Sequence, residues 1–354
     1  MNAPFAMNQT TIAIADLADP AEVRRIEAFV ADHGGTPFHR PLWLQAVERG
    51  TGQTATGLIA EKCGELTGWL PLTQLHSNVF GRALVSSGFA VGGGVLCGNP
   101  AIAGQLCEAA AELAARNGFS SAELRGGIAP SDWQHCTESH CGFERELARD
   151  DEGQLLAIPR KQRAEVRKSL KRDLEVTTGL DETERADHYR TYAVSVHNLG
   201  TPVFPRSLFD AVLDAFGDDA DILTIRKDGQ PISSVLSLYH NGAVMPYWGG
   251  GTVAARHLRA NERMYYELML HARKRGCTRF DFGRSKTGSG PYHYKKNWGF
   301  EPQPLHYANW TAPGAPPRGA DPTSAGNAAM INLWKKLPLR VANLIGPHIA
   351  RGLG

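Results

Sequence analysis

Leu223-Thr-Ile-Arg-Lys-Asp-Gly229 repeats the pattern of Leu58-Ile-Ala-Glu-Lys-Cys-Gly64, 165 residues earlier (223 − 58). Upstream of each lies a second matching patch. Thr36-Pro37, Trp43-Leu44 and Ala46-Val47 return as Thr201-Pro202, Leu208-Phe209 and Ala211-Val212 at the same offset (201 − 36). Downstream the offset shortens to 157. Gly92-Gly93-Gly94 matches Gly249-Gly250-Gly251 (249 − 92), and Gly142-Phe143-Glu144 matches Gly299-Phe300-Glu301 (299 − 142). Four patches in one order with one length change describe a tandem duplication.

Each copy predicts the same elements. A helix follows Thr-Pro, then a pair of strands turns at Gly64 or at Asp228-Gly229. A strand ending in three glycines comes next, followed by an amphipathic helix over 102–116 or 262–274. Gly118 and Gly276 close those helices. A strand over 121–124 or 279–282 and a Gly-Phe-Glu strand complete the copy. The fold class is α/β (α+β), with mixed sheets flanked by helices. Residues 1–155 and 156–310 are the expected domains, and 311–354 a Pro/Gly linker with a basic amphipathic tail.

With 42% hydrophobic and 21% charged residues in 354, the chain can bury two cores. A net charge of +2 excludes a polyanion binder that uses its whole surface, so any such contact needs a local patch. The first eleven residues lack the basic and apolar regions of a secretory signal. No uninterrupted apolar stretch is long enough to span a bilayer. The six cysteines are scattered, as reduced thiols would be. A cytoplasmic protein, in contact with a membrane periphery through its tail if at all, is expected.

Two segments stand apart. Between the copies, Arg160, Lys161, Arg163, Arg167, Lys168, Lys171 and Arg172 face only Glu165 and Asp173. This run reads as a solvated helix face or as a phosphate-binding surface for a nucleotide, tRNA or lipid headgroup. Residues 312–328 read as a linker. Residues 330–353 interleave apolar side chains with Lys335, Lys336, Arg340 and Arg351. They can lie on an anionic membrane or pack back on their own domain.

Residues Thr36-Pro-Phe-His-Arg-Pro-Leu-Trp43, Pro159-Arg-Lys-Gln-Arg163, Leu199-Gly-Thr-Pro-Val-Phe-Pro-Arg206 and Tyr247-Trp-Gly-Gly-Gly251 form a wider pattern. It continues in Phe280-Asp-Phe-Gly-Arg-Ser285 and Tyr292-His-Tyr-Lys-Lys-Asn-Trp-Gly-Phe300. Together they resemble the FemAB-related family of the GNAT superfamily, with a BioF2-like acetyltransferase domain. The likeness extends to the FemAB-like proteins of exosortase/PEP-CTERM exopolysaccharide systems. It covers roughly residues 36–310 and implies two GNAT-like units.

In that family an aromatic-Lys pair before an aromatic-Gly step lies at the reaction centre. Tyr294-Lys295 and Trp298-Gly299 match it, so the resemblance implies Lys295 as the cation beside the transferred acyl group, with Tyr294 next to it. A preplaced ammonium stabilises a tetrahedral oxyanion by roughly 3 kcal/mol. The competing reading makes Lys295 and Lys296 surface residues. Tyr292 and Lys296 join the implied substrate contacts. Asp281 could orient or deprotonate an amine nucleophile, with Arg284 nearby, or form a structural ion pair. His39 and Arg206 lie where the family contacts its acceptor. Tyr247 and Trp248 can wall the cleft or fill the core.

Two departures qualify the resemblance. Ala255-Arg-His-Leu-Arg-Ala-Asn261 replaces the glycine-rich loop that usually holds the CoA pyrophosphate. That leaves Arg256 and Arg259 for phosphates, and Gly249, Gly250 and Gly251 for close approach of a donor. In the first copy, Thr137-Glu-Ser-His-Cys141 stands where the Tyr-Lys pair would be, so that copy is expected to be a scaffold or acceptor side. Ser285 and Ser289 lack a hydrolase nucleophile context, and Gly288-Ser289-Gly290 reads as a loop. His135, Cys136, His140 and Cys141 are too crowded for a zinc tetrahedron, so no metal is expected. The expected activity is acyl or aminoacyl transfer to an amine of a cell-envelope or exopolysaccharide-type precursor. The acceptor would be a small molecule or a glycan or peptide precursor. The co-substrate would be acyl-CoA or aminoacyl-tRNA, with no tightly bound cofactor. The alternative is a non-catalytic binding protein on a GNAT scaffold.

Overall fold

The computed structural model describes residues 9–77, 80–315 and 328–354. The first copy contains β1 (Thr11–Ile14), α1 (Pro20–Asp32), α2 (Pro41–Thr51), β2 (Thr54–Lys62), β3 (Glu65–Ser77) and β4 (Gly81–Ser86). It continues through β5 (Leu96–Cys97), α3 (Pro100–Arg116), β6 (Ser121–Arg125), β7 (Gln134–Cys136) and β8 (His140–Glu146). Next come α4 (Asp151–Ala157), α5 (Arg160–Leu170), β9 (Glu175–Gly179), α6 (Glu182–Leu199), α7 (Arg206–Phe216), β10 (Ala220–Lys227), β11 (Gln230–His240) and β12 (Ala243–Gly251). The remainder is α8 (Val253–Leu258), α9 (Ala260–Lys274), β13 (Arg279–Asp281), β14 (Ser285–Lys286), α10 (Gly290–Asn297), β15 (Pro302–Pro304) and β16 (Tyr307–Thr311), then α11 (Ala328–Lys336) and α12 (Leu339–Ala350). The linker expected over 312–328 lies mostly outside the described residues.

The local signals act as their chemistry requires. Cys63-Gly64 and Asp228-Gly229 both have positive φ at their two positions, which a two-residue hairpin turn of right-handed strands needs. Asn99 accepts the Ala101 amide at 2.9 Å to start α3. Gly118 and Gly276 take positive φ. Phe119 and Cys277 then donate back to Ala114 (2.9 Å) and Ala272 (3.0 Å), closing α3 and α9 in the same way.

The chain folds into two compact units. One comprises residues 1–137, 305–320 and 351–354, and the other 138–304 and 321–350. The first carries a sheet ordered β1-β2-β3-β4-β6-β16-β7, with β5 on β3. The second carries β14-β8-β13-β12-β11-β10-β9, with β15 on β8. In the first core α3 lays Leu106 and Ala110 on Leu58, Leu70, Leu84 and Leu124. In the second α9 lays Leu268 and Ala272 on Leu223, Val235, Val244 and Phe280. Each such buried aliphatic side chain is worth about 1.5–3 kcal/mol.

The units divide between Thr137 and Glu138 rather than at 155, because β8 pairs with β13, β14 and β15. Conversely β16, beyond the second copy, pairs with β6 and β7. Two expected strands take other forms. In the first copy the strand stops at Ser86, and its three glycines lie in a loop. In the second, Gly299-Phe300-Glu301 precedes β15 and is not itself a strand. Gly299 has φ +83°, and a Cβ there would stand 2.9 Å from the Arg145 guanidinium and 3.0 Å from Pro159.

Candidate functional site

Strands β12 and β13 run parallel but pair only at Ala243–Arg279 and Val244–Phe280. Beyond that point β12 continues to Gly251, while Phe282 turns away and donates its amide to Phe143 of β8 at 2.7 Å. The sheet therefore splits along its C-terminal edge, where α/β sheets present their clefts.

Tyr265 of α9 bridges the two sides. Its hydroxyl lies 3.5 Å from where a Gly249 side chain would begin, and its ring stacks edge-on with Phe282 at 4.6 Å. Its hydroxyl is pushed up to about 12 by burial and by the Glu262 charge.

Lys295 stands at the β13 exit. Ser289 accepts the Tyr292 amide at 3.4 Å and Pro291 occupies the first turn, so Gly288-Ser289-Gly290 starts helix α10 instead of forming an open loop. One turn later, Lys295 is only 9% exposed. Its ammonium donates to the Gly283 and Arg284 carbonyls at 3.1 and 2.9 Å. It also lies 5.4 Å from the rings of both Phe143 and Phe282. Burial pushes Lys295 down to about 7, against the opposing Asp281 charge and with some help from Arg284. Asp281 accepts the Gly283 amide at 2.8 Å. Burial raises its carboxyl to about 6, with Glu144 adding to the rise and Lys295 opposing it. The arrangement couples a desolvated amine and a desolvated acid, both able to change charge near neutrality.

The neighbouring lysine differs. Lys296 is exposed, 5.8 Å over the Tyr292 ring. Tyr292 is half-buried against Phe143. Tyr294 packs with Tyr265 and Trp298. Desolvation raises the Tyr294 hydroxyl well above its ordinary range.

Other predicted site residues have contacts of their own. A Cβ on Gly250 would meet Ser195 Cβ at 2.4 Å, and one on Gly251 would meet Asn261 Oδ1 at 2.4 Å. The three glycines thus admit α6, α9 and Tyr265 rather than leaving empty room. Arg259 pairs with Glu165 at 2.6 Å and caps α9 with φ +59°. Arg256 is exposed on α8. His39 is buried and its Nδ1 accepts the Thr36 amide at 3.0 Å, closing a short helical turn. Arg206 pairs with Glu182 of α6 at 2.5 Å and with Asp210 of its own helix at 3.4 Å. Trp248 is buried against Phe209 at 4.6 Å, and Tyr247 meets Trp248 edge-on at 4.9 Å. On α5, Arg160, Lys161, Arg167 and Lys168 are exposed, while Arg163 is half-buried and donates to the Leu156 carbonyl at 3.3 Å. Among the described residues no cluster could hold a metal ion. An open depression of about 450 Å³, lined by Arg145, Glu146, Leu147, Ala148 and Ala157, does not include Lys295 or Asp281.

The first unit has the corresponding split, with β4 and β6 paired in parallel only at Leu84–Ala122 and Val85–Glu123. Its own chain fills the gap. Gly88 is held by Thr73 and Trp43, at 2.9 and 3.0 Å. The Ala90 carbonyl accepts from Arg125 at 2.8 Å, and the Val91 carbonyl from Tyr307 at 3.0 Å. A Cβ on Gly94 would fall 1.8 Å from the Gly126 carbonyl oxygen.

Sequence patterns did not single out Tyr265, Phe143 or Glu262. Tyr265 and Glu262 sit at helical spacing on α9, indistinguishable from core and first-turn residues. Phe143 belongs to the first copy, and only the pairing of β8 brings it beside Lys295.

Residues 160–296 match the acetyltransferase (GNAT) domain family. Among solved structures the chain is similar to FemX, with a TM-score of 0.66 and 14% identity over 89% of this chain and 98% of that one. A tandem GNAT protein from the clavulanic acid biosynthesis pathway gives 0.56 and 13% identity over 87% and 99%. The C-terminal domain of a putative lysylphosphatidylglycerol synthetase from Agrobacterium fabrum gives 0.54 and 14% identity over 84% and 93%. No curated protein matches the chain. The fold is therefore a tandem of two GNAT-like units, each a mixed sheet flanked by helices.

Proposed function

We propose that the chain is an acyl or aminoacyl transferase whose second unit carries the chemistry. The observation that supports this best is Lys295, desolvated, fixed on the Gly283 and Arg284 carbonyls just past the end of β13. A buried amine costs stability wherever it must be charged, so its presence at the end of a sheet strand favours a chemical role over a packing role.

An acceptor amine attacks the donor carbonyl, a C–N bond forms, and negative charge develops on the carbonyl oxygen. The Lys295 ammonium stabilises that oxygen. The C–O or C–S bond to the leaving group then breaks, and the amine proton passes to Asp281 or to the leaving group. The first unit, whose corresponding split its own chain fills, acts as scaffold and acceptor side.

Two donors fit different features. The exposed cations of α5 suit the phosphates of aminoacyl-tRNA. The likeness of residues 160–296 to a GNAT acetyltransferase domain suits acyl-CoA. The acceptor is an amine on a cell-envelope or exopolysaccharide-type precursor, an assignment that rests on the family resemblance. Work at a membrane surface through residues 330–353 would bring the enzyme to acceptors carried on lipid.

The test presents charged tRNA and acyl-CoA side by side with amino-sugar and peptide-amine acceptors, reading product by mass. Product from one donor, lost in Lys295→Met, is expected. An Arg160→Glu/Lys161→Glu variant should lose tRNA-dependent transfer while sparing CoA-dependent transfer. No product and no binding with either donor would leave the non-catalytic binding protein as the reading.

A further inference from the structure

Helix α11 sits on the second unit by Ile331 and the buried Trp334, and α12 by a face of small residues. Ile331 lies within 2.5 Å of where a Gly200 Cβ would begin. His197 Nε2 is 3.0 Å from the Leu337 carbonyl oxygen. A Cβ on Gly346 would stand 3.2 Å from the Val203 amide and 3.5 Å from the Trp334 ring, and Ala342 and Ala350 are buried on the same side of α12.

Four other large apolar side chains are exposed. Val341, Leu344 and Ile345 follow the i, i+3, i+4 spacing of one helix face and all are exposed, Leu344 by 72%. Leu333 on α11 is 65% exposed. Of the ten exposed large apolar residues among those described, these are four, gathered within thirteen positions. A helix selected only to pack on its domain would turn leucine inward and alanine outward. On α12 the order is reversed.

The flanking charge is of one sign. Lys335, Lys336 and Arg340 are exposed beside the stripe, and residues 328–354 contain no aspartate or glutamate. Apolar residues rimmed by cations fit an anionic lipid surface, where leucine enters the headgroup boundary and lysine meets phosphate. A soluble acidic partner would satisfy the cations but leave four large aliphatic groups without a reason. No helix among the described residues is long and apolar enough to cross a membrane, so the contact would lie in the plane of the interface.

We infer that the α11–α12 hairpin is a docking face for anionic bilayers, with Leu333, Val341, Leu344 and Ile345 inserted. The inference extends the membrane reading above to a defined face. It is tested without turnover, so its failure and that of the transferase reading are separable.

The experiment is sedimentation of the full chain with vesicles of equal parts phosphatidylglycerol and phosphatidylcholine, and with phosphatidylcholine alone. The unaltered protein should bind the anionic vesicles, and binding should weaken as salt rises. Leu333→Asp/Leu344→Asp should bind about tenfold less or weaker still, with an unchanged melting temperature, because both side chains are mostly in water. Lys335→Glu/Lys336→Glu should lose the preference for anionic lipid. Equal binding by the unaltered protein and the aspartate variant would overturn the inference, as would no binding to anionic vesicles. So would light scattering that shows a dimer which the aspartate variant dissolves, with no lipid bound by either.

Discussion

Replacing Lys295 by methionine separates a desolvated amine from an ordinary surface lysine, and does so before any substrate is known. The unfolded chain holds such an amine protonated up to about pH 10.4, whereas the folded one releases its proton at about 7. Below pH 7 both states carry the charge, and the folded protein bears the whole cost of burying it. Between pH 7 and 10 the unfolded state binds the extra proton, so stability rises with pH by about 1.4 kcal/mol per unit. Methionine removes that dependence. It also strands the Gly283 and Arg284 carbonyls, at a cost of about 1–3 kcal/mol each if no water replaces the ammonium. At pH 6.5 the losses and the relief oppose each other. By pH 9 the unaltered protein should have gained about 3 kcal/mol on the variant. Urea unfolding of both proteins at the two pH values measures this gap. A gap that stays constant between pH 6.5 and 9 refutes the reasoning, since Lys295 would then titrate as a solvated lysine. In transfer assays, activity that depends on the ammonium should fall as pH rises through about 7. The variant should lose about a hundredfold or more in rate and show no such step.

Asp281→Asn tests the partner group with the opposite sign. A carboxyl raised to about 6 in the fold binds a proton there more tightly than in the unfolded chain, so stability falls as pH rises from about 4 to 6. The asparagine variant should lack that fall in pH-dependent unfolding. Gly250→Ala should destabilise by about 1–3 kcal/mol, because its Cβ would meet Ser195 Cβ at 2.4 Å. Ser195→Gly in the same chain should restore most of the loss in thermal unfolding. Arg226→Met leaves buried Glu184 without its cation and Asp187 with Arg190 alone, and should cost about 3 kcal/mol in urea unfolding.

The repeat was legible because its signals are local. A two-residue turn with positive φ, a glycine after a helix and an Asn-Pro helix start are each set within a few residues. Strand partnership is different. Gly142-Phe143-Glu144 reads as a strand whichever sheet receives it, and nothing in its own composition names β13 as its neighbour. Its counterpart at Gly299 reads identically, yet there the glycine takes φ +83° and donates back to Lys296 at the end of α10, outside any strand. At the site, the family resemblance drew attention to Lys295, but its burial was not readable, since lysine at helical spacing usually faces water. Arg259 looked available for phosphate because its partner, Glu165, lies 94 positions away. His39 and the three glycines had contacts of the same distant kind.

The pairing of β16 with β6 and β7 has a consequence for how the chain can be made. A ribosome delivers β6 and β7 early, but β16, the strand that joins them, emerges only after the whole second copy. Until then the nascent first sheet ends in an unpaired edge at β6, the kind of edge that invites wrong partners. Strand β8 must likewise wait for β13 to be synthesised. Vectorial synthesis therefore cannot finish one half and then begin the other. Expressing either copy alone would withhold a strand from its sheet, and the smallest foldable gene is expected to be the fused one.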